Sequence, residues 1–177
     1  MGLPVYMYSV LGWGFMQVGG YLAAWVIGYG FVQAAAPKLL RTRRNADGPD
    51  GATARHWALL LALVPAAIAL ALMFGVAPVW SLMIGLALFG IVFAINSALH
   101  SYLILVYSNH DKVALNVGFY YMANAGGRLA GTVLSGGIYQ MWGLTGCLWW
   151  SVGFVLAAAL LSFALPVRGG TLVKTDG

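Results

Sequence analysis

The sequence predicts an all-α, polytopic membrane helix bundle with five transmembrane helices, and three observations carry that prediction. The composition is 62% hydrophobic and 7% charged, with a mean hydropathy of +0.86, whereas soluble domains hold about 25% charged residues. Five apolar stretches are each long enough to cross a hydrocarbon core of about 30 Å, which takes roughly 20 helical residues. None of them alternates polar and apolar residues over about ten positions, as the strands of a membrane barrel do.

The first stretch covers residues 10–36. It starts without a basic region and runs far past the length of a signal core, so it is read as a span and not as a cleavable leader. Trp13, Gln17 and Tyr21 share one face at i, i+4 spacing, which suits either the lining of a cavity or ordinary packing. The preceding residues 2–9 carry no charge and are placed outside the membrane. The second stretch, 57–76, contains Pro65, which removes a backbone hydrogen bond and predicts a kink against neighbouring helices.

Ala77-Pro78 makes a tight connection into the third stretch, 79–107, which carries Asn96, Ser97, His100 and Ser101 on its second half. His100 reads in two ways: as a satisfied hydrogen bonder, or as a proton carrier that couples transport to protons. The fourth stretch, 115–141, meets the fifth, 144–165, through Trp142-Gly143. Cys147, the lone cysteine, lies in the fifth stretch and reads as a packing residue.

Charge assigns the sides. The connection 38–55 is a basic loop with Arg41, Arg43 and Arg44, the connection 108–114 holds Lys112, and the tail 167–177 holds Arg168 and Lys174. Apart from Arg128, every Lys and Arg falls on one face of the predicted topology, which the positive-inside rule makes cytoplasmic. The C-terminus is therefore expected in the cytoplasm, with the chain multi-pass in the cell's inner (plasma) membrane. The net charge of +5 then reports orientation and gives no indication of nucleic acid.

Arg128 is the exception. It stands near the middle of the fourth stretch, where a guanidinium costs between about 3 and more than 10 kcal/mol unless something compensates it. Glu is absent from the sequence, and Asp47, Asp50, Asp111 and Asp176 all fall between or after the apolar stretches. The compensating group is thus either main-chain and amide oxygens of neighbouring helices, or an anionic small molecule. Arg is the side chain whose planar fork suits carboxylate and phosphate.

Asn116, Tyr120, Asn124 and Arg128 form a polar stripe at i, i+4 spacing, flanked by Tyr121 and Thr132. Offset by about 100° run Ala123, Gly127, Gly131 and Ser135, the small-residue spacing that lets helix backbones approach closely. The substrate-binding expectation is Arg128, Asn124, Tyr120, Tyr121, Asn116, Asn96, His100 and Gln17. No catalytic constellation, metal cluster or cofactor-cradling loop is predicted, and the chain is not expected to be an enzyme.

The stretch from Gly28 to Pro37 with its basic loop, Phe93 to Leu105, the Asp111 to Gly118 entry, Gly118 to Gly131 and Tyr139-Gln140 together resemble the C-terminal half of a major facilitator superfamily transporter. The five helices resemble the eighth to twelfth of such a protein, and the segments from Phe93 onward resemble more closely the ArsJ-type organoarsenical efflux permeases. The resemblance extends from the first helix to Pro166 and is most specific over Asn116 to Ser135.

It implies export of 1-arseno-3-phosphoglycerate in arsenate resistance, and a functional link to the glyceraldehyde-3-phosphate dehydrogenase that makes it. It also implies a missing N-terminal transporter half, so that the present residues alone would move nothing. The rival expectations are a major facilitator exporter of a sugar or drug, a stand-alone membrane interaction subunit, and a membrane enzyme.

Overall fold

A computed structural model describes residues 2–40, 51–107 and 113–164, and every regular element in them is helical. The order is α1 (Gly2–Ser9), α2 (Phe15–Leu40), α3 (Gly51–Met73), α4 (Pro78–Tyr107) and α5 (Val113–Leu161), ending in a 3-10 turn at Ser162–Ala164. The predicted tail 167–177, much of the basic loop 38–55 and most of the connection 108–114 lie outside the described residues.

Among the described residues four helices are long and apolar enough to cross a membrane. The last of these is in fact two arms. At 49 residues, α5 would be about 74 Å long if straight, more than twice a hydrocarbon core. Gly143 breaks it, with φ 64° and ψ −162° inside an otherwise helical run. This left-handed conformation suits glycine, which has no Cβ to clash.

The chain folds back there, so Cys147 reaches the main-chain oxygen of Ser135 at 3.5 Å. The structure thus supports an all-α polytopic bundle with four apolar helices, the last folded into two arms.

The helix boundaries follow from local chemistry. α3 ends in a Schellman cap: the Val76 amide donates to Ala71 at 2.9 Å and the Gly75 amide to Leu72 at 3.2 Å, with Gly75 at φ 68°. Pro78 then opens α4 at the first helical position, where its missing N–H costs nothing. Helix α3 continues through Pro65, which is buried.

One element departs from the expected outline. Residues 2–9, read from the sequence only as an uncharged outer segment, form the short helix α1. The Gly2 amide donates to the Ser135 hydroxyl at 3.2 Å. Leu3, Tyr6 and Leu11 pack against the buried cluster of Ile68, Leu82 and Leu144. α1 therefore covers the end of the bundle that holds the Gly75 and Gly143 turns. A second buried cluster, Ala54, Leu99 and Leu103 with Trp57 against it, closes α3 on α4 toward the other end.

α3 is the central helix, packed on both α4 and α5. α2 docks on α4 through rings: the Trp25 indole N–H donates to the Leu86 oxygen at 2.7 Å, and Tyr29 stacks on Phe93 with centroids 5.6 Å apart. Large apolar side chains such as Phe31, Leu63, Leu129 and Leu160 point outward. That exposure suits a lipid solvent and would be costly in water.

Candidate functional site

The expected site residues fall into three groups, on α5, on α4 and at the start of α2. On α5, Asn124 and Arg128 lie on the arm before Gly143, where residues 121–134 are exposed on every side of the helix. The Arg128 oxygen accepts a hydrogen bond from the Thr132 hydroxyl at 2.8 Å. The Arg128 guanidinium itself has no hydrogen bond or ion pair with any described residue, and no Asp or Glu occurs among the described residues.

Tyr120 joins the first group to the second. Its hydroxyl lies 3.3 Å from Ser101 Oγ on α4, and its ring sits edge-on to Tyr121 with centroids 5.7 Å apart. Asn116, one turn earlier, is half-buried and engaged by its surroundings. Tyr120 is therefore the residue that turns the α5 stripe toward α4. The sequence offered Ser101 only as one of several small polar residues on α4.

On α4 the His100 Nδ1 lies 2.8 Å from the Asn96 main-chain oxygen, and Ser101 Oγ donates to the Ser97 oxygen at 3.0 Å. These are local back-bonds, one turn long. Asn96 Oδ1 is enclosed and has no donor. Asn96 and His100 form one row of α4 and Ser97 and Ser101 another, about 100° around the helix. Tyr120 meets the second row.

Gln17 has a local task at the head of α2. Its Oε1 accepts from the Gly14 amide at 2.8 Å, the return half of a capping box, with Gly14 just before the helix and Gln17 three residues on. Its expected companions are near one another, since Trp13 and Tyr21 meet edge-on at 5.7 Å. Beyond them lies a cavity of about 450 Å³ between α2 and α4, walled by Tyr21, Trp25, Tyr29 and Met83. Its aromatic wall was not part of the sequence-based expectation, although Trp25 and Tyr29 stand one turn apart in the sequence.

Long apolar helices and an outward apolar surface define a multi-pass membrane helix bundle. No family model, no curated protein and no solved structure matches the chain.

Proposed function

We propose that this chain is the cavity-forming part of a secondary transporter for an organic anion, with Arg128 as the anchor for the negative charge. The observation that carries the reading is the unpaired Arg128 guanidinium, on a membrane-crossing helix, with no carboxylate side chain among the described residues. A charge at that depth requires either a counter-charge or water. An anionic cargo supplies the counter-charge, and Asn124 beside it supplies amide hydrogen bonds. A neutral sugar needs no such anchor, and a cationic drug is repelled by it.

Within that class, the resemblance to the ArsJ-type permeases favours a phosphorylated and carboxylated organoarsenical. The glyceraldehyde-3-phosphate dehydrogenase link and the complementary transporter half belong to the same proposal, as do the inner-membrane location and the cytoplasmic C-terminus. A non-enzymatic role belongs to the same proposal. The exposure of residues 121–134 on all sides also favours a second reading, an interaction subunit whose α5 arm is covered by another membrane protein.

Inverted vesicles separate these readings, tested with the chain alone and together with its genomic neighbours. Uptake of a phosphorylated carboxylate is expected with the complete transporter and not with this chain alone. Arg128→Ala is expected to reduce it at least tenfold, about 1.4 kcal/mol. Arg128→Lys recovers little, because an ammonium lacks the bidentate fork. Unchanged uptake by Arg128→Ala at equal membrane abundance removes the anchor role.

A further inference from the structure

We propose that the groove between α3 and α4 holds one acyl chain of a phospholipid, taken from the leaflet on the side of the Gly75 turn. The groove encloses about 470 Å³. The small side chains of Ala67, Ala71 and Ala77 leave the hollow, and Leu60, Ile84 and Leu88 stand beside it, exposed. On each helix these positions recur every three or four residues, so they share one face. The groove starts at the turn, where Val76 and Ala77 line it, and ends at Leu60 and Leu88.

Length, chemistry and size select the occupant. The run from Leu60 to Ala71 spans about 17 Å of helix, and the hydrocarbon of one leaflet is about 15 Å deep, half of a 30 Å core. A chain that enters at the turn therefore fills the groove and stops near the bilayer middle. The lining carries no charged residue, and its one side-chain hydroxyl, on Ser81, donates to the Val76 main-chain oxygen at 3.0 Å. A polar ligand finds nothing there to hold it. A transmembrane helix about 10 Å across takes roughly 1,300 Å³ over the same length, so it rests across the groove and does not fill it. Left empty, the groove forfeits the dispersion contacts of its walls.

Trp80 adds a contact at the head of the chain. It stands in the first turn of α4 and lines the groove, and its indole N–H has no hydrogen bond to any described residue. Indole rings settle at the level of the headgroups, where ester oxygens of the same lipid accept such a donor. With no charge in the lining, the lipid is selected by its chain and not by its headgroup.

The site goes beyond the anion reading and does not depend on it. The test is native mass spectrometry of the full chain, reconstituted in vesicles of equal phosphatidylcholine and phosphatidylglycerol and released in mild detergent, with circular dichroism of each variant. The expected result is one phospholipid retained per chain, of either headgroup in equal amount. Ala67→Phe, whose ring enters the hollow from an exposed position, is expected to lower retention at least tenfold with the helical signal unchanged. Trp80→Phe is expected to lower it about fivefold, the effect of one hydrogen bond, and Leu129→Phe, on the exposed α5 arm, to leave it unchanged. A wild-type chain that keeps no phospholipid, equal retention by Ala67→Phe, loss in Leu129→Phe as well, or a second copy of the chain retained in place of lipid overturns the proposal.

Discussion

The Cys147 thiol meets the main-chain oxygen of Ser135 at 3.5 Å, although twelve residues of straight helix would hold them about 18 Å apart. That contact fixes the reversal at Gly143 and turns one long apolar run into two crossings. Asn124 and Arg128 stand on the exposed arm before that reversal.

Gly143→Ala is expected to destabilise the folded chain by about 1–3 kcal/mol, because φ 64° with ψ −162° is a region closed to side chains with a Cβ. Unfolding in detergent followed by circular dichroism measures the loss. A Ser135→Cys variant complements it: a short thiol crosslinker should join residue 135 to Cys147 in the native background, and the yield should fall when Gly143→Ala is added.

The approach of α3 to α4 depends on Gly85. A Cβ at that position would overlap the side chain of Ile68, which is buried in the cluster with Leu82 and Leu144. Gly85→Val is expected to cost about 1–3 kcal/mol by overpacking. Adding Ile68→Ala to the same chain should recover part of that loss, whereas Ile68→Ala alone should destabilise through its cavity. Thermal unfolding of the four chains in one detergent gives the coupling directly.

Trp25 ties α2 to α4. Its indole N–H donates to the Leu86 oxygen at 2.7 Å, and its ring covers Gly90. Trp25→Phe keeps an aromatic ring and removes the donor, so about 1 kcal/mol of stability is expected to go. Trp25→Ala should cost more and free α2, which otherwise docks on α4. Limited proteolysis at the α2 end would show faster cleavage in the Ala variant than in the Phe variant.

Much of this architecture was legible because the bilayer imposes length. The apolar runs, the Ala77-Pro78 turn and the Trp142-Gly143 turn follow from hydropathy and from residues that cannot continue a helix. The place of Arg128 within a long apolar helix was legible for the same reason. α1 was not, since eight uncharged residues give too short a pattern to separate an outer helix from a loop, and its place depends on tertiary contacts with Ser135 and Tyr139.

The site was read by helix face and therefore only coarsely. Spacing put Tyr120, Asn124 and Arg128 on one stripe, but it could not say that Tyr120 meets Ser101 and not the His100 row. The face shared by Trp13, Gln17 and Tyr21 suited a cavity lining or ordinary packing, and spacing alone did not show that the Gln17 side-chain oxygen caps α2. A cap three residues from a Gly is a local signal that hydropathy overshadows.

The central claim is that Arg128 faces a wet space that attracts anions, and thiol labelling tests it most directly. In a Cys147→Ser background, Asn124→Cys presents one thiol on the Arg128 stripe in native membranes. A sulfonate-bearing methanethiosulfonate is expected to react several times faster than a trimethylammonium-bearing one, and Arg128→Gln is expected to abolish the preference. A thiol at position 124 that neither reagent reaches, or equal rates with Arg128 present, would contradict it.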